Sequence, residues 1–143
     1  MGEATSGDGS PGHAVFDVAA GVRALPETAD TMVADHRFTD DPAASARVFR
    51  VYRPTPPHSH DTCDEYLYAL SGRCLMRFGD EAPVEVGPGT LVVFKRGVVH
   101  SVPAILEEPM VFLSVDTPRR APRDIRFAEA GTGTPDTFMR QTE

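Results

Sequence analysis

PPHSHDTCDEYLYALSG, residues 56–72, decides how this chain is read. Two of the five histidines, His58 and His60, stand one residue apart, and an acidic pair, Asp64 and Glu65, follows just before an apolar run. In an extended segment, residues i and i+2 project to the same side. The prolines at 54, 56 and 57 favour extension, so both rings are expected on one face. A third histidine, His100, lies far along the chain inside VVHSV, where alternation sets it with Val98 and Val102. Three imidazoles and one acid converging on a shared space suit a borderline divalent cation. A set that leaves coordination positions open is the catalytic pattern rather than the closed structural one.

Beyond Gly72 the apolar pattern continues as CLMRF. Taken as a hairpin with Ser71-Gly72 as its loop, the stretch pairs Ala69 with Cys74 and Glu65 with Phe78. Glu65, Leu67, Ala69, Cys74, Met76 and Phe78 then share an inner face, while Tyr66, Tyr68, Arg73, Leu75 and Arg77 face outward. An acid on an apolar inner face is costly without a cation or hydrogen bonds, so Glu65 needs a partner. Asp64 serves as the acid instead only if the pleat shifts by one residue. In this register Cys63 lies six residues from the position paired with Cys74, about 20 Å along a strand. Disulfides need Cα atoms within about 7 Å, so two free thiols are expected.

The rest of the chain repeats the theme. AVFDV, TMVADHRF, ARVFRVYR, VEV, TLVVF and MVFLSVD read as short strands between Pro-, Gly- and Asp-rich turns, and no stretch holds a helical period over three turns. Short strands without intervening helices favour an all-β sandwich or barrel. At 143 residues one domain suffices and no disulfide framework is needed. We expect a tail at residues 1–13 and one barrel domain with a C-terminal extension at residues 14–143.

The net charge of −7 argues against a nucleic-acid partner. The polar start, MGEATSGDGSPGH, resembles neither a signal peptide nor a membrane anchor, which gives a cytoplasmic expectation.

HSHDTCDEYLYALSG resembles the first motif of the cupin superfamily, HxH, four residues, Glu, six residues and Gly. GTLVVFKRGVVHSVPA resembles the second, with Gly89, Gly97 and His100 in place. The family's first Gly falls at Tyr52, its Pro at Lys95 and its final Asn at Ala104. The resemblance spans roughly Arg47 to Val115. It implies a double-stranded β-helix (jelly-roll) barrel, often dimeric, around one divalent transition metal such as Fe, Mn, Ni or Zn. The implied ligands are His58, His60, Glu65 and His100.

Two function classes follow: a metal-dependent enzyme on a small organic substrate, either a dioxygenase or an isomerase, cyclase or decarboxylase, and a non-catalytic metabolite-binding or sensor protein. Other residues carry blander readings. His13 and His36 read as solvated or hydrogen-bonded, Cys63 as a small loop residue, and Lys95 as an exposed turn residue. Tyr66 and Tyr68 read as packing or homodimer contacts. Arg47, on a face with Phe49 and Val51, either holds a substrate carboxylate or pairs with an acid at the rim. TPRRAPRDIRF (117–127) reads as a solvated basic segment lying along the barrel.

Overall fold

The computed structural model describes residues 12–142, so most of the tail expected at 1–13 lies outside the described residues. A short helix α1 (Val18–Arg23) precedes eight strands: β1 (Val33–Asp41), β2 (Ala44–Val51), β3 (Thr55–Ser59), β4 (Asp64–Phe78), β5 (Val84–Val86), β6 (Leu91–Phe94), β7 (His100–Thr117) and β8 (Arg126–Phe127). A one-turn helix α2 (Pro135–Phe138) and strand β9 (Met139–Thr142) follow. The strand expected at AVFDV is absent. Asp17 instead accepts a hydrogen bond from the Ala20 amide at 3.2 Å and caps α1, and this local cap outweighs the alternation. Among the described residues no helix is long and apolar enough to cross a membrane.

The strands form one sheet that folds over on itself, and β4 and β7 are its spine. They run antiparallel from Asp64 opposite Thr117 to Phe78 opposite His100. On the first half of this pair, β6 flanks β4, while β2, β1 and β9 extend from β7. On the second half, β5 flanks β4, while β3 and then β8 extend from β7. The two halves face each other as the walls of a jelly roll, and Leu67, Ala69, Cys74, Met76, Phe112 and Val51 fill the space between them.

The expected hairpin at Ser71-Gly72 does not form. The chain runs on through a bend at which the pairing with β7 slips several times. Gly72 has φ +79°, and a Cβ there would lie 2.4 Å from the Pro109 carbonyl oxygen and 2.7 Å from that of Glu107. The bend brings two backbones too close for any side chain, which is why a glycine stands here. The bulged bend flips the strand's parity as a two-residue loop would. The expected inner face therefore survives: Glu65, Leu67, Ala69, Cys74 and Met76 are buried, Phe78 packs against the core, and Tyr66, Tyr68, Arg73 and Arg77 point out. Both cysteines are free and buried.

Candidate metal centre

Three strands bring the site together. His58 sits in β3, His60 just beyond its end, and His100 opens β7 directly opposite His58 in the β3–β7 ladder. Glu65, the second residue of β4, enters from the other wall. All four side chains are buried. One ring nitrogen from each histidine forms a trio whose members lie within 4.8 Å of one another. The Glu65 Oε1 atom is 3.6 Å from His60 Nε2.

Backbone carbonyls orient the rings. His58 Nδ1 lies 2.7 Å from the Pro56 oxygen, His60 Nδ1 2.7 Å from that of Asp124, and His100 Nδ1 3.0 Å from that of Val98. A carbonyl can only accept, so each Nδ1 carries the proton and donates it, which leaves each Nε2 lone pair free. The Gly97 amide also donates to the His60 carbonyl at 2.7 Å, tying the second histidine motif to the first. Burial lowers the pKa of all three imidazoles to about 3. Neighbouring imidazoles and Arg120 contribute in the same direction, the imidazole more than Arg120 at His58 and His100 and Arg120 more than the imidazole at His60. At neutral pH the rings are therefore uncharged bases, the form that binds metal.

Glu65 Oε2 is engaged on its far side. It accepts from Ser114 Oγ at 2.8 Å and lies 3.6 Å from Arg47, which turns Oε1 toward the histidines. Arg47 points inward, as one of its two readings required, but it is held by acids. Its guanidinium lies 3.0 Å from Asp116 and 3.6 Å from Asp35 as well as from Glu65. Burial opposes its charge, and Asp116, Glu65 and Asp35 more than offset that opposition. Arg47 thus anchors the floor of the site and is not free to clamp a substrate.

Several expectations change. Asp64 faces the surface, accepts from the Arg96 amide at 2.9 Å and pairs with Lys95 and Arg96, so no shift of the pleat makes it the inward acid. Cys63 lies in the loop before β4, as its reading had it, but it is not exposed. It is buried with its thiol 3.8 Å from Asp116, and burial first, then the Asp116 charge, pushes its pKa up to about 12. Tyr66 and Tyr68 are partly exposed beside Val93 and Leu91 of β6. Lys95 is exposed as expected.

The basic segment departs most from its reading, because Arg120 lines the same cavity as the three histidines. Asp124 of that segment also braces the His60 loop, its carboxylate accepting from the amides of Asp61 and Thr62 at 2.8 and 2.9 Å. Neither residue sits on a periodic segment that would have flagged it. Ser114 and Asp116 were within reach, because they continue the buried alternation of Met110 and Phe112.

The geometry agrees with what the chain resembles. A family model described as "Cupin domain" matches residues 49–116, whereas no curated protein matches the sequence. Among solved structures, a Klebsiella pneumoniae protein with a double-stranded β-helix domain superposes with a TM-score of 0.65 at 19% identity, covering 80% of this chain and 91% of that one. KdgF from a Halomonas species gives 0.56 at 21% identity, over 62% and 81%. The nucleoside dehydratase Pac13 of Streptomyces gives 0.54 at 16% identity, over 66% and 85%. At these identities the structural likenesses establish the fold alone. Together with the domain match and the paired histidine motifs, they identify residues 49–116 as a domain of the cupin superfamily.

Proposed function

We propose that this protein is a metal-dependent enzyme acting on a small organic molecule, with His58, His60, His100 and Glu65 as ligands of one divalent transition metal ion. The observation that carries the reading is the set of three Nδ1–carbonyl hydrogen bonds, which frees three neutral Nε2 atoms toward one buried space. Uncharged imidazoles beside a carboxylate fit iron, manganese, nickel or zinc. An ion held this way supplies Lewis-acid polarisation of a substrate oxygen and, where it is iron, chemistry with O₂.

The chain's own contribution is orientation and dryness. The backbone carbonyls hold the rings, and Ser114 and Arg47 fix the Glu65 carboxylate. Phe94, at 4.0 Å from His100 between ring centroids, and Phe138, at 4.8 Å from His58, wall the imidazoles in apolar surface. Excluding water there strengthens every electrostatic interaction in the site. The barrel itself is neutral about the reaction.

Metal analysis of protein purified without added metal, followed by assays under air and under nitrogen, tests this reading. Iron with O₂ consumption selects a dioxygenase. Zinc, nickel or manganese with turnover under nitrogen selects an isomerase, cyclase or decarboxylase. A metabolite that binds tightly and is recovered unchanged selects the non-catalytic binding protein. His58→Ala and His100→Ala are each expected to lose most of the bound metal while keeping the β-rich circular dichroism of the parent. Full occupancy in both variants contradicts the ligand assignment.

A further inference from the structure

Two arginines line the cavity of the three histidines, Arg47 buried and Arg120 half-buried, and they differ in their partners. Arg47 faces three carboxylates. Arg120 has none within ion-pair distance among the described residues, and its guanidinium donates only to the Met139 sulfur, at 3.3 Å. Burial first and then the Arg47 charge depress its pKa, and the Asp116 and Glu65 charges offset only part of this. A half-buried guanidinium with no carboxylate at ion-pair distance keeps its planar fork of donors available to an arriving anion.

Position shows where that anion would come from. Arg120, Phe138 and Met139 border both the histidine-lined cavity, about 40 Å³, and a second cavity of about 230 Å³ beneath the C-terminal segment. Arg120 therefore stands at the partition between the inner site and the outer space. The charges agree in sign. Around the site, the buried acids Asp35, Glu65 and Asp116 stand against buried Arg47 and half-buried Arg120. With a divalent ion bound, this set retains one net positive charge, which suits a monoanionic ligand.

We propose that Arg120 is the residue that recognises the substrate's anionic group, and that the substrate is a compact carboxylate whose acid end sits on Arg120 while its other end reaches the histidines. This inference rests on the metal-centred reading above. It assigns to the segment 117–127 a substrate-binding role that its basic composition alone did not indicate. A planar guanidinium matches a carboxylate through two parallel hydrogen bonds.

The test uses Co²⁺-loaded and metal-free full-length protein. Calorimetry measures binding of three probes, glycolate, 3-hydroxypropionate and 4-hydroxybutyrate, against their neutral amides. At least one acid is expected to bind the wild type about tenfold or more tightly than its amide, the scale of one charge-assisted hydrogen-bond pair. Arg120→Gln is expected to erase that preference while leaving Co²⁺ stoichiometry and the cobalt absorption spectrum unchanged. Arg120→Lys, which keeps the charge without the fork, is expected to restore part of it.

If no acid binds, if the amides bind equally well, or if R120Q keeps the acid preference, the assignment is overturned. Inorganic phosphate binding more tightly than every carboxylate, in an Arg120-dependent way, overturns the carboxylate class. Wild-type protein that takes up no Co²⁺ contradicts the metal reading instead. The Arg120-dependent acid preference is then decided on the metal-free protein, where its absence overturns the proposal.

Discussion

Hydrogen-bond direction decides the chemistry at the scale of single residues. The HxH spacing was readable because i, i+2 projection is a local property of extended chain, and His100 was found through its motif. What the sequence could not show was the carbonyl behind each ring, since two of the three are supplied two residues from the histidine they hold and the third, from Asp124, is 64 residues away. Arg47 was placed on the correct face, but its role depended on Asp35 and Asp116 from other strands. Arg120 and Asp124 gave no signal, because irregular backbone carries no period to read. The imidazole shifts make a prediction about acid. Each ring accepts a proton near 6.5 in the unfolded chain but only near 3 in the folded protein. Between those values the unfolded state binds more protons, so stability is fully present above pH 6.5 and falls as the pH drops toward 3. The slope is about 1.4 kcal/mol per pH unit for each imidazole. Urea melts of metal-free protein at pH 7 and pH 5 are expected to show this loss, and replacing the three histidines with glutamine is expected to flatten it. Equal midpoints for the parent at both pH values would contradict the buried, neutral imidazoles.

The bend at Ser71–Arg73 is the instructive feature among the elements. Alternation on either side of it was correct, and so was the reversal of parity. The error lay in taking that reversal for a chain reversal, because a bulged bend and a two-residue loop leave the same pattern of faces. Only the length of β7, which pairs with both halves of β4, distinguishes the two, and that partner lies distant in sequence. The first strand was misread for a related reason, since the Asp17 cap acts over three residues and competes with an alternation of only five. Gly72 gives the bend a test. Gly72→Ala forces a Cβ against two backbone carbonyls at positive φ, and a loss of about 2–4 kcal/mol is expected from that strain, measured by chemical denaturation. A change below about 0.5 kcal/mol would show that β4 and β7 do not approach as described.

For the whole molecule, the fold class was legible because turn residues and short apolar runs recur along the chain, and a curled sheet is the way such runs cover one another. The jelly roll then does what its separate strands cannot: it sets β3, β4 and the start of β7 around one enclosed space, so that side chains 58, 60, 65 and 100 meet. The central claim is that they meet on a cation. An anomalous difference map from crystals grown with Co²⁺ tests it most directly. The account predicts one interior peak contacted by Nε2 of His58, His60 and His100 and by a Glu65 carboxylate oxygen. An interior without a peak, or a cobalt ion bound through other residues while these three rings turn away from it, would contradict the account.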